Sequence, residues 1–318
     1  MWQKTMIALA RSARLTEWAE KAACMRFFAR RFVGGGDLES GLESVRNLHG
    51  KGIRSSLFFL GEYVDDAQIV AQGLREIENA IRGLGALGLD VHVSVDPTQV
   101  GAMQNWDVCQ KNVVDLAGVT ASQQGNGVNV VMIDMEDSSV TTRTLDMFYS
   151  LHDRGLPVAV TAQSSLHRSP QDLARLVQCG AMVRLVKGAF AESKDIAVTG
   201  RAARDASYRQ GIDQLFSKQA RSNGVRPVLG THDHAMVGYA VEQAEANGWT
   251  MDEWEVEMLY GVRPDYQRQL VRQGVSLRLY VPFGRSWWPY SIRRIGENPW
   301  NAVFVARSVV GNIFSGKN

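Results

Sequence analysis

The chain is poor in the features that mark several large protein classes. Its 318 residues contain only three cysteines, Cys24, Cys109 and Cys179. They are odd in number, far apart and without C-x-x-C spacing. This argues against a disulfide framework or a cysteine zinc site and points to a reducing compartment, with all three read as buried apolar residues. No run of 18 apolar residues occurs, and residues 1–15 lack an apolar stretch long enough for a secretory signal. The expectation is a cytoplasmic protein. Peripheral contact with the inner face of the membrane, through Trp2, Met6, Ile7 and Leu9 or the apolar tail 302–314, stays open behind core packing of the same residues. A net charge of +2 lacks the basic excess of a nucleic-acid binder.

What is present is the balance of an ordinary globular protein, 45% hydrophobic and 21% charged, at a length that suits one α/β barrel with an extension. Residues 1–31 read as helical and end at Gly34, Gly35 and Gly36, which read as a flexible hinge because no dinucleotide-binding pattern follows. Residues 1–36 are therefore expected to form a helical extension and 37–318 the catalytic barrel. Beyond residue 36, short apolar or β-branched runs alternate with amphipathic stretches. The runs 53–60, 89–95, 128–134, 156–162, 181–186, 225–230, 254–260 and 275–281 give eight candidate strands. Residues 65–87, 141–154, 169–178, 205–223, 234–247 and 264–273 read as helices, several opening on a capping residue or proline. The Gln/Gly/Asn-rich stretch 123–129 reads as a loop. Eight strand–helix repeats predict a parallel (β/α)8 barrel, whose chemistry sits at the C-terminal ends of the strands.

The predicted strand ends are polar almost throughout: Glu62, Asp96, Asp134, Gln163, Arg184 with Lys187, Thr231 with His232 and Asp233, Leu259 with Tyr260, and Tyr280. Helix caps explain only part of this set, so a shared polar site is favoured. Near the end, Tyr290, Arg293, Arg294 and Glu297 fall at i, i+3, i+4 and i+7 of one helix face. Paired guanidinium groups suit a bound carboxylate or phosphate, and a surface ion-pair ladder through Glu297 is an equal alternative on spacing alone. His232, Asp233 and His234 are not read as a metal site, because adjacent residues at a strand end point to different sides. Arg184 taken alone could be a barrel-core cation paired with Asp134, and Tyr208 reads as helix packing.

Five motifs in order carry a resemblance: Arg184 to Phe190 (RLVKGAF), Thr231-His232-Asp233, Leu259-Tyr260-Gly261, Tyr280 to Gly284 (YVPFG), and Tyr290-x-x-Arg293-Arg294-x-x-Glu297. Together they resemble the proline dehydrogenase family in its short monofunctional form, over about 32–301. The resemblance implies a distorted (β/α)8 barrel with a final helix over its mouth and a non-covalently bound FAD. It also implies oxidation of L-proline to Δ1-pyrroline-5-carboxylate by hydride transfer to the flavin, and a quinone or other electron acceptor. Arg184, Asp134 and Tyr280 form the implied catalytic set, with Arg184 near the flavin N5 edge, and Asp96 is read beside them as a catalytic and substrate-facing residue in place of the family's own. Arg293 and Arg294 would clamp the substrate carboxylate, with Tyr280, Tyr290 and Leu259 as walls and Glu62 as a gate on Arg293. Gln163, Val186, Lys187, Gly188, Thr231, His232, Asp233 and Glu297 would hold the flavin, and Met135 would line the pocket beside Asp134.

The pattern breaks at Asp96, where the family has a lysine that approaches the substrate carboxylate. No lysine stands between Lys51 and Lys111 to replace it. A like charge about 4 Å from a carboxylate costs roughly 4 kcal/mol at an effective dielectric near 20. Phe58, Phe190 and Ala191 are milder departures. Asp96 could neutralise one of the arginines, or face the amine of another amino-acid-like substrate or hydrazine. The barrel could also have lost turnover. A different class, a Schiff-base lyase with Lys187 as nucleophile, and a non-catalytic binding barrel are carried beside the flavin enzyme.

Overall fold

Short β-branched runs buried on both faces form eight parallel strands that close into one barrel, in sequence order β1 to β8. The computed structural model describes residues 31–61, 64–123, 125–288 and 290. The strands are β1 Arg54–Phe59, β2 His92–Val95, β3 Val130–Ile133, β4 Val158–Gln163, β5 Met182–Val186, β6 Arg226–Gly230, β7 Glu255–Leu259 and β8 Leu277–Phe283. Each predicted run contains or overlaps its strand. The predicted (β/α)8 architecture is the observed one.

The described helices are α1 Leu38–His49, α2 Ala67–Ala86, α3 Trp106–Ala121, α4 Thr141–His152, α5 Ser169–Gln178, α6 Arg201–Leu215, α7 Lys218–Ser222, α8 His234–Ala246 and α9 Pro264–Arg272. Side-chain caps fix several starts: Asp66 accepts from the Gln68 and Ile69 amides at 2.7 and 3.1 Å, and Asn105 accepts from the Asp107 amide at 2.8 Å. Two helices, α1 and α3, go beyond the sequence expectation. The single predicted helix 205–223 is instead two. Its chain starts earlier, at Arg201, and breaks at Ser217, whose hydroxyl caps α7 by accepting from the Ala220 amide at 3.1 Å.

The expected glycine hinge is corrected at two of its three residues. The Gly34 amide donates to the Pro282 carbonyl at 2.7 Å, the Gly284 amide donates to the Gly35 carbonyl at 2.9 Å, and Gly35 bridges Phe283 in parallel. A Cβ at Gly34 would stand 2.3 Å from Val281 Cγ1, and one at Gly35 would stand 2.6 Å from the Gly41 amide nitrogen. These glycines permit close backbone approach to the end of β8. The chain then enters α1 through a capping box, in which Asp37 accepts from the Ser40 amide at 3.0 Å. Helix α1 packs on β1 and β8, the outer slot that a helix following β8 would take in a regular barrel.

The main core lies between strands and helices and includes Leu57, Val93, Val131, Val160, Val183, Leu229, Val256 and Leu279. Residues one position along point into the barrel. There, Val130, Met132 and Ala159 form a separate apolar cluster with Val128 and Met182 against it. At the N-terminal end of the barrel a charged deck closes the interior. Arg278, fully buried, donates to Glu255 at 2.7 Å, Asp90 at 2.6 Å and the Ser55 carbonyl at 2.6 Å. No helix among the described residues is long and apolar enough to cross a membrane.

Candidate active site

Nearer the C-terminal end of the barrel a second polar deck is built around Arg184 on β5. Its Nε donates to Glu257 Oε2 at 2.6 Å, and its Nη2 donates to Glu257 Oε1 and Ser94 Oγ, both at 2.9 Å. Its Nη1 donates to Asp134 Oδ1 and, at 3.4 Å, to Thr161 Oγ1. A guanidinium has five N–H groups, and these contacts use all five. Arg184 thus makes the barrel-core pairing with Asp134 that its position allowed, with Glu257 added. Burial opposes the charge on Arg184, but Glu257 and Asp134 outweigh it and hold its pKa above the ordinary value.

Asp134 follows β3 and leads from this deck to the mouth. Its Oδ1 also accepts from Thr161 Oγ1 at 3.0 Å, and its Oδ2 accepts from the Tyr280 hydroxyl at 2.9 Å. Burial lifts the Asp134 carboxyl above its usual range. Arg184 and the Tyr280 hydroxyl pull it down, Glu257 pushes it up, and the net direction is upward. Tyr280 lies with its ring 5.3 Å from the Arg184 guanidinium and 5.3 Å from the Phe58 ring. Burial, then the charges of Asp134 and Asp96, push its hydroxyl pKa well up, and Tyr290 is close enough to add to the effect. The structure thus gathers Asp96, Asp134, Arg184, Tyr280 and Tyr290 at one mouth, with Phe58 beside them.

The flavin set expected from the sequence forms a neighbouring arc. Gln163, Val186 and Gly230 are level across β4, β5 and β6, so Lys187 and Thr231 follow at adjacent tips. The Gln163 amide donates to the Glu136 carbonyl at 2.7 Å, which fixes its carbonyl end beside Gly188. Gly188 has φ +102°, and a Cβ there would stand 2.6 Å from Ser165 Oγ. Lys187 Nζ bridges Asp205 and Asp233, the latter at 2.8 Å. Burial works against its charge, but these two hydrogen bonds prevail and raise its pKa. Asp233 also caps α8, accepting from the Ala235 amide at 3.0 Å. His232 lies beside β7, its Nε2 accepting from the Leu259 amide at 3.4 Å. The loop after β5 is pinned over this region: Glu192 accepts from the Ser138 amide and hydroxyl at 2.8 and 2.7 Å, and Leu166 bridges Ala197.

Sequence reasoning missed Glu257, Asp205, Ser94 and Thr161. Their strand positions were visible, but their pairing across the barrel follows only from strand register. Tyr208 packs as expected, its hydroxyl donating to the Leu185 carbonyl at 3.0 Å. The expected roles of Glu62, Arg293, Arg294 and Glu297 lie outside the described residues.

A sequence model described as "Proline dehydrogenase" matches residues 41–307. "Proline dehydrogenase 2" of Bacillus subtilis strain 168 is 30% identical over 284 residues, covering 89% of this chain and 91% of the relative. "Proline dehydrogenase" of Deinococcus radiodurans is 30% identical over 312 residues, covering 98% of each. Among solved structures, proline utilization A of Bdellovibrio bacteriovorus, inactivated by N-propargylglycine, superposes with TM-score 0.78 at 20% identity, over 86% of this chain and 33% of that one. The chain thus spans about a third of that longer protein and shares the fold of the part it matches. With the family match running from α1 past the end of β8, this chain belongs to the proline dehydrogenase family.

Proposed function

We propose that this chain oxidises L-proline to Δ1-pyrroline-5-carboxylate with FAD as its resident oxidant, and passes the electrons to a quinone-type acceptor. The observation that carries the reading is the Asp134–Arg184–Tyr280 cluster at the mouth of a proline dehydrogenase barrel. The residues present fit a flavin. The level arc of Gln163, Lys187 and Thr231 alternates acceptor and donor groups, and Gly188 keeps the backbone low where a side chain would intrude. Val186, His232 and Asp233 complete the arc, with Glu297 joining from the chain beyond. Bound FAD supplies a two-electron acceptor for the hydride from the carbon next to the ring nitrogen of proline.

The chain's own residues hold and orient the substrate. Phe58, Tyr280, Tyr290 and Leu259 wall the pyrrolidine ring, and burial of Arg184 beneath Tyr280 fixes the floor. Two cations near the mouth are already engaged: Arg184 has its five N–H groups committed, and Lys187 is held by two carboxylates. Arg293 and Arg294 hold the substrate carboxylate, with Glu62 pairing Arg293 as a gate. The slot beside β8 and β1 is filled by α1. The reading places the enzyme in the cytoplasm, with peripheral contact to the inner membrane face as the route to a quinone.

Asp96 favours a second reading with the same flavin chemistry on a different amino-acid-like secondary amine or hydrazine, because its charge faces the Tyr280 side of the mouth. The lyase reading is weakened by Lys187, since a Schiff-base nucleophile must lose its proton and the Asp205 and Asp233 partners retain it. The test is anaerobic absorbance: the purified protein should be yellow and bleach on L-proline. A colourless protein that takes up no FAD, or a yellow one that no secondary amine bleaches, overturns the proposal.

A further inference from the structure

Glu257, on β7, belongs to none of the ligand-holding groups above, yet it fixes the geometry of the mouth. Its side chain is 3% exposed and accepts from Arg184 at 2.6 and 2.9 Å and from the Ser56 hydroxyl. A carboxylate paired in this two-pronged way takes the flat edge of the guanidinium. Asp134 is left with a single nitrogen, Nη1. One guanidinium therefore faces two carboxylates, Glu257 buried and Asp134 partly exposed at the mouth, a surplus of one negative charge that burial resists.

We infer that Glu257 is a positioning residue: by occupying the two-pronged edge of Arg184, it makes Asp134 the one of the two carboxyls that more readily takes a proton, and holds it against Tyr280 at the ligand side of the mouth. The inference rests on the proposed amine oxidation for the identity of that ligand, and on the geometry alone for the proton. The groups facing Asp134 are Arg184 from β5, Glu257 from β7, the Tyr280 hydroxyl from β8 and the Thr161 hydroxyl from β4, with Asp96 after β2 acting on Tyr280. Burial sets the upward direction of the Asp134 carboxyl against the pull of Arg184 and the Tyr280 hydroxyl, and Glu257 adds a smaller push the same way. Protonated on Oδ2, Asp134 would donate to the Tyr280 oxygen while Oδ1 still accepts from Arg184 and Thr161, and the Tyr280 hydroxyl, which donates to Oδ2 in the structure, would turn its proton to another acceptor.

The test is Glu257→Gln in the flavin-loaded protein, with the Asp134 carboxyl followed by carbon NMR of aspartate-labelled protein and assigned by Asp134→Asn. Removing the Glu257 charge should lower the Asp134 titration by about one pH unit or more, and the acid limb of proline-driven bleaching should move with it. An unchanged or raised titration overturns the inference. If Glu257→Gln does not fold, Asp134→Asn decides the matter, because asparagine mimics the protonated acid. Its thermal midpoint, measured on the acid side of the Asp134 titration, should stay within about 2 °C of the parent, and a larger fall overturns the inference. The titration is read without proline. A shift with no bleaching therefore sinks the substrate reading alone, and bleaching with no shift sinks the role of Glu257 alone.

Discussion

Replacing Arg184 by methionine removes the only cation in contact with Asp134 and Glu257 among the described residues. Methionine fills much of the arginine stem, so the principal loss is electrostatic. Breaking a buried pair while leaving its acid behind costs about 3–5 kcal/mol. For a chain of this length, with an unfolding entropy of roughly 2 cal/mol/K per residue, that corresponds to a thermal midpoint about 5–8 °C lower. The sign of its pH dependence is the sharper test. In the parent, Asp134 already sits above its unfolded value, so its contribution to stability is full below the unfolded pKa and is lost as pH rises through the folded one. Without Arg184 the opposing pull disappears and the folded value climbs further. The variant should therefore lose least near pH 5 and most near pH 8, where both acids must ionise in a dry barrel. Midpoints measured by circular dichroism from pH 5 to 8 check this. A deficit equal at every pH would refute the electrostatic account and leave a packing defect in its place.

Arg278→Met breaks the lower deck and should lower the midpoint by a similar amount, but the KM for proline in the folded fraction should not move, because that deck faces the opposite barrel end. Lys187→Met removes a charged donor worth about 1.5–3 kcal/mol, so FAD affinity measured by flavin fluorescence should fall roughly tenfold to a hundredfold. Asp96→Lys exchanges repulsion for attraction toward a substrate carboxylate and should raise kcat/KM for L-proline in steady-state assays by about tenfold or more. Complete loss of bleaching would instead assign Asp96 to a substrate amine.

The strands were legible because a parallel barrel buries both faces of each strand, so every run is continuously apolar or β-branched between glycine-marked turns. The inward residues were harder to read. Glu255 and Glu257 alternate with Val256 along β7 and look, in one dimension, like the solvent face of an exposed strand. Only the closure of β7 against β8, and of β8 against β1, turns them inward to meet Arg278 and Arg184. Arg184 with Asp134 was visible as a pair because each is an isolated charge in or at the end of an apolar run, whereas the third partner required register. The break between α6 and α7 hides in a stretch without proline and shows only as the cap at Ser217. Gly34 and Gly35 mislead in the opposite direction: a glycine cluster reads as freedom, but here it is the clearance that lets one backbone lie against another.

The saturation of Arg184 divides labour inside the barrel. A cation with every donor committed can set the charge and geometry of its neighbours, but it cannot also grip an incoming carboxylate without giving up a buried partner, at a cost of several kcal/mol. The strands and their tips supply a surplus of acid from Asp96, Asp134 and Glu257, beside the arc proposed to hold the flavin. In the proposed reading, Arg293 and Arg294 supply the grip on an anionic substrate. That division makes Asp96 decisive. It adds negative charge where an anionic substrate would need the opposite, so proline binding depends on the two arginines overcoming it, and a substrate with a second cationic centre would gain from the same residue.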